Sequence, residues 1–569
     1  VTDTKGHQGD RVLFSKWNSF SRIGVYERTH GDWSLSPAYR GPTPDTRFMD
    51  IDSAASTPIL HADRDLSNVQ YLRYELTALA YHLKETGAGT RASSPESRAP
   101  SFTALVIGPG GGRDLLSALV FGARRVDGVE INPIIANDVM RDRFRDFSGG
   151  IYTDPRVRIV IDDGRSFVRR TPERYDVIQA SLVDTWAATA AGAYTLTENT
   201  LYTVEAFDDY LDHLTDTGVL TITRWVFDGL RLVSLAQEAC ARRGWDAASR
   251  LIIVQHDRIA TFLLKKTPFT RDEIAELRAV VDRLEFHMLY APTADGQPNT
   301  SHLAETDWVD GTEPVDYARL VLAPDRWRFY ADYGQDIRPT TDDRPFFFHT
   351  TKLEDQFHVA FGRSMLFGNG LSALLTLMAI SVTLVALFVL GPLALARAGG
   401  APARGWFAWL VYFGALGAGF MLIEVSLLQR FVLLLGHPVY SLTVTLFSLL
   451  LGTGAGAAWS RRLREPTLRR SAAVALAAIA ALAVVAVAAV APLVTWAIPF
   501  SRGVRILIAS ATASDGDVGL GDERRALGRR GDTGDLHRDE LGLQRHVPGC
   551  ICHVSHRIIR HPFNKIEIG

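Results

Sequence analysis

The spacing of apolar positions changes several times along the chain, and each change predicts a different kind of element. Short alternating runs broken by Gly and Pro over residues 11–60 predict β-strands. Apolar residues at helical spacing over residues 66–85 predict a helix, and residues 87–100 have the composition of a linker. The pattern therefore predicts a small β-rich lobe at 1–65, followed by a helix and linker at 66–100.

Strands alternate with helical stretches after residue 101, which predicts a parallel sheet with right-handed crossovers. Residues 101–268 are therefore assigned to a Rossmann-like domain, in which two late runs, Leu251–Gln255 and Ala260–Lys265, are placed to close the sheet as a hairpin. Residues 269–365 form a connecting region with an amphipathic helix at 271–285 and an irregular segment at 290–350. The predicted parallel strands are Thr103–Ile107, Val126–Glu130, Val157–Ile161, Tyr175–Ala180 and Val219–Thr223.

An almost uninterrupted apolar region runs from Leu371 to Ser501. A bilayer-spanning helix needs about 20 apolar residues. Buried core helices are the alternative, but four successive runs leave almost no polar face. The predicted fold is an α/β Rossmann-like domain with a small N-terminal β lobe, followed by an all-α multi-pass transmembrane region at 366–501. The four candidate spans are Leu371–Gly391, Trp406–Ile423, Pro438–Trp459 and Ala472–Phe500.

Composition narrows the function classes only slightly. The formal net charge of −2 gives no indication of a nucleic-acid partner, and three cysteines imply no disulfide framework. The chain starts at Val1 with polar residues, which suggests a fragment or an alternative start codon.

Residues 502–569 differ in character from the apolar region before them. They are rich in Asp, Gly, Arg and His and show no sustained period, so we interpret them as an irregular, non-native tail. A metal site is the alternative, but the C-x-C-H-x-x-H spacing is not that of a known zinc module. Its candidate ligands are Cys550, Cys552, His553, His556 and His561.

A glycine-rich turn follows the first strand of the Rossmann-like domain and opens a helix. Glycines there let the backbone pass close to a ligand, and the helix N-terminus offers free N–H groups. Glu130 ends the next strand, where an acid can accept hydrogen bonds from both ribose hydroxyls. A solvated acid at a strand end is the alternative for Glu130. The residues of the turn are Gly108, Gly110, Gly111, Gly112 and Asp114.

Polar residues also follow the third and fourth strands. Asp163 and Gly164 lie where an acid can accept from an adenine amino group, and Ser181 and Asp184 enter the crevice above the sheet. Ligands of open α/β sheets bind at these carboxyl ends. Four successive strand ends with suitable groups predict a nucleoside site, while the lack of G-x-x-x-x-G-K-[ST] argues against a nucleoside triphosphate.

As a set, these motifs resemble the spermidine synthase group of aminopropyltransferases. The resemblance implies a class I S-adenosylmethionine-dependent transferase fold, with S-adenosylmethionine or its decarboxylated form as co-substrate and no metal. The cofactor-binding residues that it implies are those of the glycine turn, Glu130, Asp163 and Gly164. The matching segments are Gly108–Asp114, Glu130–Pro133, Asp154–Val157, Asp163-Gly164 and Tyr175–Ile178.

A bacterial subgroup in which such a domain is joined to transmembrane helices is a closer resemblance. It implies a transferase anchored in the bacterial inner membrane, with a small amine or a lipid-associated acceptor, the lipid bilayer as partner, no nucleic acid, and a homodimer left open. The segments that carry this resemblance are Lys16–Arg22, Leu201–Thr203, Thr341–Phe348 and Gly419–Glu424.

Two positions depart from the family pattern. Gly111 stands where the family has an acid that holds the aminopropyl amine, and Ser181 stands where it has a catalytic Asp. Asp184 matches a second acid and is our candidate for the substrate-side acid, with Ser181 and Tyr194 as the other catalytic candidates. A primary amine of pKa about 10 must lose a proton before it attacks, and serine assists this poorly. Methyl transfer therefore has a weight similar to aminopropyl transfer.

Orientation and activity class have rival interpretations. The loop Arg461–Arg470 holds five arginines and should be cytoplasmic, which after three spans would place the transferase domain outside. A cofactor made in the cytosol requires the reverse, and we favour a cytoplasmic domain. The rival function is a transporter or receptor in which this domain only senses the cofactor, and a damaged gene product is a third interpretation.

Overall fold

The structure is a computed structural model, and it describes most of the chain between residues 10 and 513. The described part falls into two compact units, Val1–Thr443 with Ala491–Ile506, and Val444–Val490 with Leu507–Gly569. The described ranges are 10–18, 21–29, 31–52, 55–85, 102–183, 198–292, 313–352, 370–392, 406–435, 438–459, 474–481, 492–494, 496–498, 500 and 503–513.

The N-terminal lobe is a four-stranded antiparallel sheet in the order β1-β2-β3-β4. Ile23 and Val25 of the second strand are fully buried, so this strand lies in the core of the lobe. The lobe confirms the β-rich segment that the sequence predicts. Its strands are β1 (Val12–Trp17), β2 (Arg22–Tyr26), β3 (Thr46–Ile51) and β4 (Ala55–Leu60).

The single helix predicted over residues 66–85 is wrong in its continuity. Two 3-10 helices, Ser67–Tyr74 and Leu76–Ala78, precede helix α1 (Leu79–Glu85). Glu75 between them is extended (φ −87°, ψ 137°). The cause is competition for backbone hydrogen bonds: Ser36 N donates to Tyr74 O, and Leu76 N donates to Ser34 O.

The second sheet has eight strands in the order β12-β10-β11-β9-β8-β5-β6-β7. Strands β7, β6, β5, β8 and β9 are parallel, while β11, β10 and β12 continue the sheet antiparallel, which confirms the predicted hairpin. The strands are β5 (Thr103–Ile107), β6 (Arg125–Glu130), β7 (Val157–Ile161), β8 (Tyr175–Ser181), β9 (Leu214–Trp225), β10 (Leu251–His256), β11 (Ile259–Lys265) and β12 (His287–Tyr290).

Helices cover both faces of this sheet. Along β5, Ala104 and Val106 belong to the core on one face, and Leu105 and Ile107 to the core on the other. Burial on both faces explains why the strand is a continuous apolar run. The helices are α2 (Arg113–Val120), a π-helical segment (Ile134–Arg143), α3 (Gly164–Arg170), α4 (Val204–Asp212), α5 (Val226–Arg242), α6 (Arg271–Arg283), α7 (Pro314–Val321) and α8 (Arg326–Asp332).

Helices α7 and α8 correct the prediction that residues 290–350 are irregular. Helix α7 begins with Pro314 after Glu313, and Asp325 caps α8 by accepting from Trp327 N and Arg328 N. Both are helix-start signals that were legible in the sequence. Strand β9 also exceeds its predicted bounds, and β12 was missed.

The aromatic segment Thr341–Phe348 is a loop that packs onto the Rossmann-like domain. The Arg231 guanidinium, almost fully buried, donates to the carbonyls of Phe347 (2.6 Å) and His349 (2.8 Å). Asp342 accepts from the buried Arg165 of α3. Arg231 therefore satisfies backbone carbonyls of this loop, and Arg165 binds the side chain of Asp342.

The apolar region contains helices α9 (Gly370–Val385), α10 (Trp406–Leu435) and α11 (Pro438–Trp459). Within the described residues, two stretches are long and apolar enough to cross a membrane, Val411–Val432 and Tyr440–Ala458. The predicted end of the second span at Ile423 is wrong, because α10 continues through Glu424 to Leu435. Four spans are not confirmed.

We expect Arg231→Met to destabilise the chain by about 3–5 kcal/mol, because the carbonyls of Phe346, Phe347 and His349 would stay buried without their donor. The measurement is the melting temperature, with limited proteolysis of residues 337–352 as a local probe. Arg319→Met is the matched control, since that arginine side chain is 63% exposed and should contribute little. Equal losses in both variants would contradict the anchoring role.

Candidate functional site

The strand order reverses at β5, and this reversal defines a crevice. The chain runs from β5 to β6 and β7 on one side and then returns to β8 on the other. Gly108 directly follows β5, and Ser181 ends β8. In open α/β sheets the crevice between two such strand ends is the usual ligand site.

The glycine-rich turn adopts backbone conformations that favour glycine. Gly108, Gly110 and Gly112 have φ of +67°, +50° and +92°, values that L side chains rarely adopt. The Gly108 N–H donates to Val129 O at 2.9 Å, which joins the turn to β6. The predicted glycines thus shape a tight loop in front of α2.

Strand β4 of the N-terminal lobe lies directly on this turn. Gly111 N donates to the Thr57 hydroxyl at 3.3 Å. A Cβ on Gly111 would lie 1.9 Å from the Pro58 carbonyl oxygen, and one on Gly110 would lie 3.1 Å from Thr57 atoms. Gly111 is therefore required by the packing of the lobe, and this strand occupies the space that an acidic side chain at 111 would need.

Glu130 faces the glycine turn. One carboxylate oxygen accepts from Gly110 N at 3.1 Å, and the other accepts from Asn132 N at 2.9 Å. Glu130 is 4% exposed, and burial raises its pKa to about 7 although these N–H groups oppose the shift. Each oxygen has a second lone pair and can still accept a hydrogen bond from a ligand.

Asp163 and Gly164 lie at the end of β7, where α3 begins. One Asp163 oxygen caps this helix by accepting from Ser166 N at 2.8 Å, and burial raises its pKa. A Cβ on Gly164 would lie 2.5 Å from the Ile107 side chain, so glycine allows α3 to approach β5. The predicted adenine-side acid thus also has a structural role as a helix cap.

Asp114 belongs to a buried charged cluster that the sequence did not predict. Its carboxylate lies 3.4 Å from Arg113 Nε, and the Arg113 guanidinium lies 3.9 Å from Glu75 and over the Trp33 ring. Burial raises the pKa of Glu75 to about 7. The Arg-Asp pair after the glycines was visible in the sequence, but nothing there indicated Glu75 as its neighbour.

Ser181 is part of a second polar group that the sequence did not predict. The Gln179 side chain donates to the Ser181 hydroxyl (3.0 Å) and to Thr77 O (3.0 Å), and it accepts from the Tyr81 hydroxyl. Tyr81 and Gln179 are almost fully buried. A glutamine inside the apolar run of β8 was the available signal.

The other two catalytic candidates, Asp184 and Tyr194, lie outside the described residues. Val183, the last described residue before them, packs against the turn, since a Cβ on Gly108 would lie 3.0 Å from its side chain. The Tyr202 hydroxyl donates to Val183 O at 3.1 Å and so fixes this rim of the crevice.

The rim also contacts helix α10. Gln429 of that helix donates to the Glu198 carboxylate at 2.5 Å, and Arg430 lies 3.4 Å from Asp343. Asp343 follows Asp342, which is bound to Arg165 beside Gly164. The loop Thr341–Phe348 therefore connects the start of α3 to the apolar helix.

We expect Gly111→Ala to lower stability by about 1–3 kcal/mol, because the added methyl group would overlap the Pro58 carbonyl unless β4 moves. The melting temperature reports the loss. Gly334→Ala is the control, since a Cβ there would meet nothing within 4 Å. An unchanged melting temperature in Gly111→Ala would show that β4 does not rest on the turn.

Comparisons with known proteins match part of the chain. A family model described as the spermine/spermidine synthase domain matches residues 96–226. The polyamine aminopropyltransferase of Thermoplasma volcanium is 30% identical over 152 residues, which is 26% of this chain and 47% of that protein. Polyamine aminopropyltransferase 1 of Pseudomonas aeruginosa is 37% identical over 81 residues, 14% of this chain and 28% of that protein. The chain thus spans less than half the length of these relatives.

Two solved structures are similar over part of the chain. Spermidine synthase from Thermotoga maritima aligns with a TM-score of 0.30 and 17% identity, covering 47% of this chain and 75% of that one. Human methyltransferase-like protein 13 in complex with SAH aligns with a TM-score of 0.27 and 14% identity, covering 38% and 91%. The match of residues 96–226 confirms the resemblance to the spermidine synthase family that the motifs predict.

Proposed function

We propose that this chain, which carries a spermine/spermidine synthase domain, is a transferase that moves an aminopropyl or methyl group. The donor is S-adenosylmethionine or its decarboxylated form, and the acceptor is an amine or another small nucleophile. The observation that supports this most strongly is the Glu130 carboxylate, held 3.1 Å from Gly110 N at the strand-order reversal.

The described residues fit an adenosyl group. Glu130 offers free lone pairs to two ribose hydroxyls. The Asp163 carboxylate, which also caps α3, is our candidate to accept from an adenine amino group. The glycine turn gives backbone without side chains where the sulfonium end would lie. The bound donor would supply a carbon made electrophilic by an adjacent sulfonium.

Group transfer forms one bond and breaks another at this carbon. The acceptor's lone pair forms the new bond while the carbon–sulfur pair returns to sulfur, which leaves a neutral thioether. An amine acceptor also releases a proton, and Asp184 is our candidate to receive it, with Ser181 and Tyr194 as the other catalytic candidates. Positioning in line at about 3–3.5 Å contributes much of the rate in such reactions.

Two observations favour different transferred groups. The relatives are polyamine aminopropyltransferases, which favours an aminopropyl group. The Pro58 carbonyl occupies the space next to Gly111, so an acidic side chain does not fit there. The resemblance assigns to this position the acid that holds the aminopropyl amine, and this favours a methyl group. The rival sensing function gains no support from the described residues.

Membrane anchoring is part of the proposal. Helix α10 keeps Phe413, Met421 and Leu422 more than half exposed, so it is not a core helix of its own unit. Exposed apolar helices of this length are typical of bilayer contact. With Gln429 at the rim of the crevice, an acceptor associated with lipid would be within reach, and a cytosolic donor requires a cytoplasmic domain.

We expect the affinity for S-adenosylmethionine to rise as the pH rises through about 7, the pKa of Glu130, because ionisation frees both oxygens for the ribose. In the unliganded chain the stability changes in the opposite direction. Burial favours the neutral carboxyl of Glu130, so the stability that this form contributes is lost as the pH rises through about 7. Glu130→Gln should weaken binding at pH 8 by about 10- to 100-fold and flatten the profile. Calorimetric titration of the full chain at several pH values measures both the affinity and its pH dependence.

Glu75→Gln is the matched control for this experiment. Glu75 is also almost fully buried and its pKa is also raised to about 7. It lies beside Arg113 of α2, however, and not at a strand end. Its substitution should leave the pH midpoint of binding unchanged. A midpoint that survives in Glu130→Gln and disappears in Glu75→Gln would refute the ribose assignment, and no binding of either sulfonium would refute the function.

We expect the full chain to sediment with membranes and to resist alkaline extraction, because burying the exposed face of α10 in lipid is favourable by about 25 cal/mol per Å² of apolar surface. Detergent should release it. Leu422→Arg with Met421→Arg should shift part of the chain to the soluble fraction. Quantitative release of the unaltered chain by alkali would contradict anchoring.

A further inference from the structure

Val183 connects the two sides of the crevice. It follows Ser181, which ends β8, and its isopropyl group packs on Gly108, which follows β5. Both methyl groups lie close to this glycine, because a Cβ on Gly108 would be 3.0 Å from Cγ1 and 3.1 Å from Cγ2 of Val183. The side chain therefore bridges the ends of the two neighbouring strands between which the strand order reverses.

An unusual backbone conformation turns Val183 toward the glycine. Leu182 has a φ of +49°, a left-handed conformation that residues with a Cβ rarely adopt. Two hydrogen bonds hold this turn: Leu182 N donates to Thr223 O at 2.9 Å, and the Tyr202 hydroxyl donates to Val183 O at 3.1 Å. Such conformations persist where the surrounding structure fixes them, and they are concentrated at functional sites. The position of Val183 is thus fixed by the protein itself.

Tyr202, which holds the Val183 carbonyl, is packed on several sides. The residue is 1% exposed. Its ring centroid lies 4.7 Å from that of Phe347 and 5.3 Å from the Arg224 guanidinium. Its own carbonyl accepts from the Thr340 hydroxyl at 2.6 Å. The hydroxyl that holds Val183 therefore belongs to a side chain with little freedom to move.

The surface around Val183 is open to solvent. Gly108 is exposed, and Ser181, Leu182 and Val183 are half-buried. Val183 packs against the edge of one apolar core but is not enclosed by it. A half-buried apolar side chain at a strand end, resting on backbone that has no side chain, is in a position to contact a ligand in the crevice.

Val183 lies between the two reacting groups of the proposed transfer. The proposed donor site is formed at the ends of β5, β6 and β7, whereas the catalytic candidates start at Ser181 on β8. A group that leaves the donor for the acceptor must therefore pass from the glycine turn toward the end of β8. The isopropyl group of Val183 borders this route and reduces the width available to the reacting carbon.

A contact of this kind discriminates between groups by size. A methyl group ends at the reacting carbon, whereas an aminopropyl group continues beyond it. An additional methylene in a closely packed apolar site changes the preference between two substrates by about 10- to 200-fold. Valine next to the glycine turn should therefore favour the shorter group.

We propose that Val183 is a specificity-determining residue that restricts the transferred group to a methyl group, with Tyr202 as the residue that positions it. The inference rests on the proposed function, because it decides between two groups that share one donor site. It agrees with the packing at Gly111, where the Pro58 carbonyl leaves no room for an acid.

S-adenosylmethionine and the analogue with an S-ethyl group in place of its S-methyl group test this restriction, because they differ by a single methylene on the sulfonium. Each is titrated by calorimetry into the full chain. We expect the unaltered chain to bind S-adenosylmethionine at least about tenfold more tightly than the S-ethyl analogue. Equal binding of the two would overturn the proposal, since a group longer than methyl would then fit beside Val183.

Two substitutions at position 183 assign the preference to the size of this side chain. Val183→Ala should raise the affinity for the S-ethyl analogue about tenfold, so that the preference disappears, whereas Val183→Thr keeps nearly the same shape and should keep the preference. Val157→Ala is the matched control, since Val157 is also half-buried but lies at the start of β7. An unchanged preference in Val183→Ala, or an equal change in Val157→Ala, would show that Val183 does not set it.

Tyr202→Phe tests the positioning role, because it removes only the hydroxyl that binds Val183 O. The preference for S-adenosylmethionine should fall several-fold while the melting temperature changes little. Tyr210→Phe is the control, since that hydroxyl donates to Leu201 O at the same 3.1 Å. A lower melting temperature with an unchanged ratio of affinities in Tyr202→Phe would show that this hydroxyl serves stability alone.

The outcomes for the two proposals are separable. If the chain binds sulfonium donors with a preference that Val183→Ala does not alter, or with no preference, the inference about Val183 fails and the transferase proposal stands. If the chain binds neither sulfonium, the transferase proposal fails and the inference fails with it.

Discussion

The contact between Glu130 and the Gly110 N–H joins two of the strand ends that surround the crevice. It connects the loop after β5 to the end of β6, and it does so with a carboxylate that is almost fully removed from water. Desolvation makes the ionised form costly, so its pKa rises to about 7. Hydroxyl groups that donate to the remaining lone pairs of Glu130 would stabilise its ionised form. A sugar diol offers two such hydroxyl groups.

The N-terminal lobe shapes this contact from outside the Rossmann-like domain. Thr57 and Pro58 of β4 lie against Gly110 and Gly111, so the glycine turn is closed on one side by backbone. This packing has a chemical consequence, since it leaves no room for a side chain at 111. The loss of the acid at that position and the docking of the lobe are two aspects of one arrangement, and reversing the substitution alone would disturb the lobe.

Local patterns were sufficient to predict the central part of the fold. Strand Thr103–Ile107 is apolar on both faces and matches its predicted bounds, because burial by helices on both sides leaves no alternative pattern. The edge strand Val157–Ile161 also matches its predicted bounds. The helix over 66–85 was predicted wrongly, since the extended Glu75 depends on residues 34–36, which are distant in sequence. Alternation and spacing report a residue's own neighbours along the chain and carry no information on such a competitor.

The candidate site also contains residues that the sequence predicts and residues that it does not. Glu130 and Asp163 were predictable because their positions at strand ends follow from local pattern and sheet topology. The Tyr81–Gln179–Ser181 group was not, because Tyr81 reaches Gln179 from a helix almost a hundred residues earlier, with the pair separated by 98 positions. Its effect is nevertheless specific: Gln179 orients a neutral donor at the place where the resemblance assigns a carboxylate. A crevice with an acid at position 181 and one with a serine there can share the same sheet, because the end of β8 fixes the position of residue 181 while its own side chain decides the local charge.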